Sequence, residues 1–274
     1  MLIKKREIEN LSSDIRRIID GQPLDLRDNR EGAFCALKND IHTLTNIKNE
    51  QIDSFQRERD MMTETLANIS HQLKTPLTSM MIMADLLENA PEEKQAEFIS
   101  NIRTGITRME WLVSALLKMA QLDAGAIKLA RAAVKSHELV SLSLEPIEAL
   151  LDSKNQNIEI IGDIELFCDR RWTAEALTNV LKNASEYSPE NSVIHVEAGT
   201  NPICRWISVT DSGGGIAKDK IAGIFKRFAG SRSDKGFGIG LPLALAIMRG
   251  QNGDIEVNGG GRGNGATFTL KLFK

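Results

Sequence analysis

The stretch LDAGAIKL (122–129) divides the 274-residue chain into two parts with different sequence patterns. On its N-terminal side, from about residue 40 to 122, apolar residues recur every three or four positions, which predicts almost uninterrupted helix. On its C-terminal side, short stretches rich in β-branched residues alternate with helical stretches, and glycine becomes frequent after residue 199. The sequence therefore predicts a helical region followed by a mixed α/β sandwich.

Two apolar seams run along the helical part, separated by NAPEEK (89–94), whose proline and acidic residues suit the start of a helix. The seams consist of Ile52, Phe55, Met62, Leu66, Ile69, Leu73 and Met80, and of Ile99, Ile102, Ile106, Met109, Val113, Leu116 and Ala120. This spacing indicates coiled-coil packing, and because two helices enclose little core, a dimer that forms a four-helix bundle is its natural completion. A hairpin that packs on its own C-terminal part satisfies the same spacing.

The C-terminal part alternates predicted strands with predicted helices. The strands are expected at 157–161, 193–198, 204–210, 254–257 and 266–273, and the helices at 137–153 and 171–187. The last two strands flank GGGRGNG (259–265), a composition typical of a hairpin turn.

Composition argues against several classes of function and location. A net charge of −3 and a pI near 5.9 lack the basic footprint of a nucleic-acid binder, and 5% aromatic residues offer few stacking platforms. The three cysteines lie far apart and fit neither a zinc site nor a disulfide framework, as expected in a reducing compartment. No apolar run reaches about 18 residues, so the chain as written is expected to be soluble.

The segment NISHQLKTPLTSM (68–80) carries a candidate nucleophile. The first seam leaves His71 on an outward position, with Thr75 one turn further along the same face. Pro76 cannot donate an N–H to the carbonyl of Gln72, so the helix is predicted to bend beside an exposed imidazole. A neutral imidazole can attack phosphorus if ATP is supplied. The alternative interpretation is an ordinary surface histidine beside a tolerated kink.

The helix predicted at 171–187 carries Asn179 and Asn183 on one face, four residues apart. Amide oxygens in this arrangement can bind Mg²⁺, which accepts neutral oxygen ligands and keeps several waters. Two asparagines inside a helix are mildly unfavourable, which suggests that they have a task. The alternative is a solvated helix face.

Two glycine-rich segments follow. Asp211 ends a predicted strand, and Gly213, Gly214 and Gly215 follow after one residue, so its carboxylate could accept a hydrogen bond from an exocyclic amine such as that of adenine. In GFGIGLPLA (236–244) the glycines open onto an apolar helix, where backbone N–H groups can hold phosphates. Each segment alone is equally compatible with a tight turn.

The order of these segments resembles that of the sensor histidine kinases of two-component systems. The resemblance extends over about residues 50 to 274. The matching boxes are ISHQLKTPL (69–77), TNVLKNASEYSP (178–189), DSGGGI (211–216), IFKRF (224–228), GFGIGLPLA (236–244) and GATFTL (265–270).

The resemblance implies a fold of the α plus α/β class. A dimeric four-helix bundle of helical hairpins would be followed by a two-layer α/β sandwich that binds ATP, of the histidine kinase and gyrase type. The expected domains are a HAMP-like signal relay region (1–50), a dimerisation and histidine phosphotransfer hairpin (51–124) and a catalytic ATP-binding domain (125–274). Residues 1–50 are alternatively a helical extension of the bundle. Because HAMP domains usually follow a membrane helix, we expect the cytoplasmic part of a bacterial membrane sensor.

Carried over by position, His71 would be the phosphoacceptor, and Thr75 would orient water when a response regulator is dephosphorylated. Gln72 stands where the family usually has an acidic base, and an amide cannot take a proton at neutral pH. Glu186 replaces a commonly basic residue, and Gly230 stands where an arginine often follows the F box, which is IFKRF (224–228) in this chain. A cation at Arg227, Arg232 or Lys235 could stabilise the transferred phosphate instead.

The resemblance also implies the cofactors, ATP and Mg²⁺. Asn179 and Asn183 would hold the metal and the phosphates, and Asp211 the adenine amine. Residues 216–235 would form the ATP lid, anchored by Phe225 and Phe228. The expected cofactor-binding residues are Asn179, Asn183, Tyr187, Asp211, Gly213, Gly215, Phe228, Gly236, Gly238 and Gly240.

The function implied is autophosphorylation of His71, followed by transfer of the phosphoryl group to an aspartate of a separate response regulator. The expected partners are a second copy of the chain and a receiver domain, with no direct nucleic-acid contact. Two alternatives are a catalytically silent scaffold or phosphatase that binds a regulator, and an ATPase of related fold.

Overall fold

A computed structural model of the chain describes residues 5–19, 25–27, 32–88, 90–229, 237–260 and 265–274. It consists of two structural units, Met1–Ser70 and His71–Lys274. The boundary between them lies inside a long helix. In the described ranges, none of the helices combines the length and the apolar character that a membrane crossing requires.

The first unit contains α1 (Lys5–Ile19) and the first part of α2 (Ala33–Leu87). Isoleucines of α1, among them Ile15 and Ile18, line a groove of about 180 Å³ together with Ile41 and Leu44 of α2. Residues 1–50 are therefore helical on both sides of the described segment 25–27, and their assignment as a HAMP-like region stays a prediction. Gly21, Pro23 and Glu31 lie outside the described residues.

The second unit begins with the rest of α2 and continues with α3 (Glu92–Asp123). Pro91 stands at the N-cap of α3, with Glu92 and Glu93 in the first turn, as the sequence predicted. A Cβ added to Gly105 would lie 2.7 Å from the Met80 side chain, so the glycine lets the two helices approach closely.

The second apolar seam remains largely exposed on this chain: Ile99 is 42% exposed, Ile106 47% and Val113 44%. A different face of α3 is buried, that of Leu112, Ala115 and Met119, where the helix packs against the α/β part. The hairpin therefore contacts its own C-terminal part and still leaves the predicted seam uncovered.

The α/β part follows in the order predicted for a mixed sandwich. Its elements are β1 (Arg131–Lys135), α4 (Ser136–Leu144), a 3₁₀ turn (Glu145–Ile147), α5 (Glu148–Ser153), β2 (Asn157–Ile161), β3 (Glu165–Asp169), α6 (Arg170–Tyr187), β4 (Val193–Thr200), β5 (Cys204–Thr210), α7 (Lys218–Ile221), α8 (Gly240–Arg249), β6 (Gly253–Asn258) and β7 (Thr267–Phe273).

The strands form a five-stranded sheet in the order β2-β4-β5-β7-β6 and a separate antiparallel pair of β1 and β3. Within the larger sheet β2 and β4 are parallel, and the other pairs are antiparallel. The predicted hairpin of the last two strands is confirmed by the pairing of β6 with β7. Residues 261–264 of its turn lie outside the described residues.

The structure contains three elements that the sequence did not predict, β1, β3 and the short helix α7. It also divides the helix predicted over 137–153 at the 3₁₀ turn Glu145–Ile147. Pro146 lacks a backbone N–H and cannot continue the hydrogen bonding of α4, which explains the interruption. In β1 only Val134 is buried, so the strand carries no alternating apolar pattern.

Helices cover one face of the larger sheet and produce a two-layer core. Along β7, Phe268, Leu270 and Leu272 are buried and alternate with half-buried Thr267, Thr269 and Lys271. The buried strand residues face α6 and α8, whose core positions include Leu177, Leu181, Leu243 and Ile247. The predicted architecture, a helical region followed by a two-layer α/β sandwich, is confirmed.

Candidate nucleotide and phosphoacceptor site

His71 lies on α2 with an exposed side chain. Its ring makes no hydrogen bond or ion pair with the described residues. Thr75 lies one turn further along and donates its hydroxyl hydrogen to the carbonyl oxygen of His71 at 3.2 Å. Pro76 lies inside α2 without ending it. The helix therefore presents an accessible imidazole with a hydroxyl beside it, as predicted.

Helix α6 is started and oriented by the residue before it. The Asp169 carboxylate caps the helix, because its Oδ1 accepts hydrogen bonds from the backbone N–H groups of Arg171 and Trp172. The apolar face of α6 is fully buried and fixes the rotation of the helix. Asn179 and Asn183 lie one turn apart beside this apolar face, Asn179 buried and Asn183 half-buried.

Asn179 is buried, with 7% of its surface exposed. Its Nδ2 donates to the carbonyl of Glu175 at 2.9 Å. Its Oδ1 faces the start of α8, because a Cβ added to Gly240 would lie 2.9 Å from this oxygen. The asparagine helix and the second glycine segment are therefore neighbours, and an amide oxygen stands between them.

Asp211 follows β5 and is 6% exposed. Its Oδ1 accepts hydrogen bonds from the backbone N–H groups of Gly213 at 2.8 Å and Ala266 at 3.0 Å. Among the described residues, none donates to Oδ2. Oδ1 of the carboxylate is thus bonded within the turn, and Oδ2 is available to accept a hydrogen bond from a ligand.

The turn after Asp211 packs against the end of α6. A Cβ added to Gly213 would lie 2.7 Å from the carbonyl oxygen of Tyr187, and Gly215 has a φ of +75°. Both positions therefore favour glycine, for steric and conformational reasons respectively. The Tyr187 side chain is 53% exposed.

Gly265, the first residue of GATFTL (265–270), also approaches Asp211, and the sequence predicted no role for it. A Cβ at this position would lie 1.6 Å from the carbonyl oxygen of Asp211. The next residue, Ala266, supplies one of the two N–H groups that hold the Asp211 carboxylate. The signal in the sequence was a glycine directly before a strand, which by itself does not identify the segment that it approaches.

The second glycine segment is tied to the F box. Gly238 has a φ of +67° and accepts a hydrogen bond from the N–H of Phe228 at 2.9 Å. Phe228 is buried and itself has a φ of +63°, an unusual value for a residue with a side chain. The two predicted residues are therefore joined, whereas Gly236, Gly230, Arg232 and Lys235 lie outside the described residues.

Arg227 was one of three cations considered for the transferred phosphate. In the structure its guanidinium forms an ion pair of 2.5 Å with Asp123, the last residue of α3.

Helix α3 also contacts helix α6 and the second glycine segment, GFGIGLPLA (236–244). The sequence did not predict these contacts. The ring of Trp111 stacks on Phe237 with centroids 6.1 Å apart, and the Lys182 ammonium lies 5.1 Å from a Trp111 ring centroid. Lys118 of α3 pairs with Glu175 of α6 at 2.8 Å. Contacts between residues this distant along the chain follow from the fold and leave no local pattern.

The residues present fit a magnesium nucleotide with few protein ligands to the metal. The described residues hold no group of three or more histidine, cysteine or acidic side chains that could bind a metal ion. A cation at Asn179 and Asn183 would take neutral amide oxygens from the protein and the remaining ligands from phosphates and water, as Mg²⁺ tolerates.

Two family models match the chain. Residues 61–125 match the His Kinase A (phospho-acceptor) domain, and residues 168–274 match the histidine kinase-, DNA gyrase B- and HSP90-like ATPase. Together they extend over more than half of the chain.

Individual relatives agree with these models. The sensor histidine kinase WalK of Bacillus subtilis is 30% identical over 237 residues, which is 81% of this chain and 37% of WalK. Full-length ShkA, solved in complex with AMPPNP, superimposes with a TM-score of 0.58 at 28% identity, over 77% of this chain and 46% of ShkA. The chain spans about a third to a half of the length of the curated relatives it matches.

Histidine kinase ThkA, solved in complex with the response regulator protein TrrA, superimposes with a TM-score of 0.65 over 83% of this chain and 66% of ThkA. At 21% identity this similarity shows the same fold. The two family models and the sensor kinase relatives lead to one conclusion: the chain belongs to the sensor histidine kinases of two-component signal transduction.

Proposed function

We propose that the chain is an ATP-dependent protein-histidine kinase that phosphorylates His71 and passes the phosphoryl group to an aspartate of a separate response regulator. The geometry of the site carries the proposal. The Asn179 amide oxygen lies close to Gly240, and Asp211 keeps one carboxylate oxygen free of hydrogen bonds from the described residues. The same structural unit also presents an exposed histidine.

Recognition of the base is assigned to Asp211. Its Oδ2 accepts a hydrogen bond from the exocyclic amine of adenine, while Oδ1 stays bound to Gly213 and Ala266. Guanine presents a carbonyl oxygen at the corresponding ring position, which would face a carboxylate without a hydrogen. The site should therefore prefer ATP to GTP.

Binding of the phosphates is assigned to the other two segments. Mg²⁺ would be held by Asn179 and Asn183 and would neutralise phosphate charge. The backbone at Gly238 and Gly240 lies at the start of α8, where unpaired N–H groups favour an anion. The predicted residue Gly236 belongs to the same proposal.

In the transfer step, a neutral ring nitrogen of His71 attacks the γ-phosphorus. A P–N bond forms, the bond to the bridging oxygen breaks, and ADP leaves. The proton on the other ring nitrogen must then depart. Gln72 cannot accept it, so we assign this role to solvent, which reaches the exposed ring.

The response regulator and the reverse reaction complete the proposed cycle. ThkA was solved with a response regulator protein, and the hairpin of this chain is proposed to bind such a partner around His71. The Thr75 hydroxyl lies beside that face and would orient water in dephosphorylation of the regulator.

The proposal also covers how the chain is divided into domains. Residues 51–124 would form the dimerisation and phosphotransfer hairpin in a homodimer, residues 125–274 the catalytic domain, and residues 1–50 a HAMP-like relay. We propose that these regions are the cytoplasmic part of a membrane sensor, as in its family.

A second candidate function is a scaffold or phosphatase that binds a regulator without phosphorylating itself. Gln72 favours it, because the usual acidic proton acceptor is replaced by an amide. A related-fold ATPase that only drives motion is less well supported, because residues 61–125 match the phosphoacceptor domain.

The deciding experiment is incorporation of γ-labelled phosphate from Mg-ATP into the wild type and into His71→Gln. We expect acid-labile, base-stable label in the wild type and none in the variant. Absence of label in a wild type that still binds Mg-ATP would favour the scaffold or phosphatase. Label that persists in His71→Gln would place the phosphoacceptor elsewhere.

A further inference from the structure

The C-terminal end of α6 is held by a lysine from the segment between α5 and β2. The ammonium of Lys154 donates to the carbonyl oxygens of Ser185 at 2.5 Å and Ser188 at 2.8 Å, with that of Glu186 at 3.4 Å. The last carbonyls of a helix lack intrahelical donors and carry a partial negative charge. Lys154 therefore satisfies these oxygens and stabilises the negative end of the helix dipole.

Gln156, a buried glutamine, also binds the C-terminal end of α6. The Nε2 of Gln156 donates to the carbonyl oxygens of Pro189 at 2.9 Å and Ser185 at 3.2 Å, and its Oε1 accepts from the Ser185 hydroxyl at 2.6 Å. Gln156 is 7% exposed, so these bonds have little competition from water. We call Lys154 and Gln156 the α6 clamp.

Residues 185–189, which the clamp holds, also support the turn that follows Asp211. The hydroxyl oxygen of Ser188 accepts a hydrogen bond from the N–H of Ser212 at 3.0 Å. The Tyr187 carbonyl lies so close to Gly213 that a Cβ there would be 2.7 Å away. A shift of residues 187–188 would therefore displace the turn that shapes the Asp211 carboxylate.

We infer that Lys154 and Gln156 are positioning residues of the nucleotide site, which fix the adenine side of that site through Ser188 and the turn 211–213. Neither side chain needs to touch the nucleotide. The inference rests on the proposed function, because it takes Asp211 as the residue that receives adenine.

The test compares Lys154→Met with Lys154→Arg in the full chain. Methionine keeps the apolar stem and removes the donors, whereas arginine keeps the charge and several N–H groups. We expect Lys154→Met to raise the Kd of Mg-AMPPNP about tenfold and Lys154→Arg to restore it to within about threefold. The rate of His71 phosphorylation at saturating Mg-ATP should change by less than about twofold, because the clamp acts on the adenine side.

Two further variants separate positioning from loss of stability. Ser188→Ala removes the acceptor of the Ser212 N–H and leaves the main-chain bonds of Lys154 intact, and it should also raise the Kd. Leu272→Ala opens a cavity at the opposite end of the sheet from Thr210 and should lower Tm without changing the Kd. All affinities are measured well below the Tm of each variant by titration calorimetry.

An unchanged Kd in both Lys154→Met and Ser188→Ala would overturn the clamp, with the proposed function intact. Equal loss of affinity in Leu272→Ala would overturn it as well, because general destabilisation would then be sufficient. A wild type that fails to bind Mg-AMPPNP would overturn the proposed function and the clamp together.

Discussion

At the scale of single residues, the two oxygens of the Asp211 carboxylate have different tasks, and this difference can be tested. Asp211→Asn keeps the shape of the side chain but loses the charge and one acceptor. The Kd of Mg-ATP should rise about tenfold to a hundredfold, since a hydrogen bond to a charged group contributes about 1.5 to 3 kcal/mol. Titration calorimetry measures it.

The matched control for this variant is Asp152→Asn, an exposed carboxylate in α5. It should bind Mg-ATP like the wild type. If Asp211→Asn also binds normally, the adenine amine is recognised by another group.

Gly265 gives a second prediction at this scale. Because a Cβ at Gly265 would lie 1.6 Å from the Asp211 carbonyl oxygen, Gly265→Ala must displace the backbone around Asp211. We expect a loss of about 2 kcal/mol or more in the free energy of unfolding, together with weaker nucleotide binding. Gly214→Ala is the control, because nothing lies within 4 Å of its added Cβ. Urea unfolding measures the free energy of unfolding of both variants. Equal values for Gly265→Ala and Gly214→Ala would contradict the close approach of Gly265 to Asp211.

Candidate site residues could be predicted where near neighbours in the chain form a pattern. Asn179 and Asn183 share a helix face at a fixed spacing, and Gly213 to Gly215 follow soon after Asp211, so a local pattern marked them as candidates, and their roles stay a prediction. Gly265 approaches Asp211 because β5 pairs with β7, and the adjacent hydrogen bond joins Ala266 to Asp211 across 55 residues of the chain. Nothing near Gly265 in the sequence specifies that pairing.

At the scale of elements, the contact of α3 with the nucleotide segments predicts an optical signal. Trp111 stacks on Phe237, the residue directly before Gly238, so nucleotide at this loop should change the surroundings of the indole. With Trp172 and Trp206 replaced by phenylalanine, Trp111 emission should shift on addition of Mg-ATP. Adding Phe237→Leu should abolish most of the shift. Emission that stays constant at saturating nucleotide would contradict coupling between α3 and the loop.

Asp163, in the turn between β2 and β3, contacts the start of α4. This contact predicts that the stability of the fold depends on pH. Asp163 accepts hydrogen bonds from the Ser136 hydroxyl at 3.0 Å and pairs with Nδ1 of His137 at 3.2 Å. Partial desolvation raises the pKa of Asp163, but bonds from His137 and Ser136 outweigh it and hold the pKa below its usual value. A depressed pKa stabilises the fold above the unfolded pKa of about 4, and this contribution is lost as the pH falls through the folded pKa.

Asp163→Asn should therefore lower Tm at pH 6 to 7, and its difference from the wild type should shrink as the pH falls below about 4. Thermal unfolding between pH 3 and 7 measures this. Glu165→Gln, an exposed neighbour on β3, should show no such convergence. A Tm difference independent of pH would mean that the carboxylate charge is not the cause.

Among the elements, those with a clear period were predicted well, and those without were missed. The strands at 157–161 and 204–210 and helix α6 agree with the sequence within a residue. Within the described residues, β1 and β3 pair with each other and not with the larger sheet. Their sequences, RAAVK and ELFCD, lack the run of β-branched residues that marks β2, NIEII, a strand of the same length.

At the scale of the whole molecule, the change of pattern at 122–129 corresponds to a real transition. Helix α3 ends at Asp123, and β1 begins at Arg131. Buried Asp169 ties this junction to the α/β part, because its Oδ2 accepts from the N–H of Ala130 at 2.8 Å while Oδ1 caps α6. The predicted bounds of the domains themselves stay a prediction.

The exposed seam on α3 carries the last prediction, the dimer. A soluble protein gains by covering apolar side chains, and Ile99, Ile106 and Val113 lie on one helix face that the α/β part does not cover. In a four-helix bundle this face would be buried against a second copy, where a carboxylate would be costly. Ile106→Glu should therefore yield the monomer mass by light scattering coupled to size exclusion, and the wild type twice that mass. Thr104→Glu, exposed on the opposite side of α3, should remain dimeric. A monomeric wild type, or a dimeric Ile106→Glu, would contradict a dimer interface at this seam.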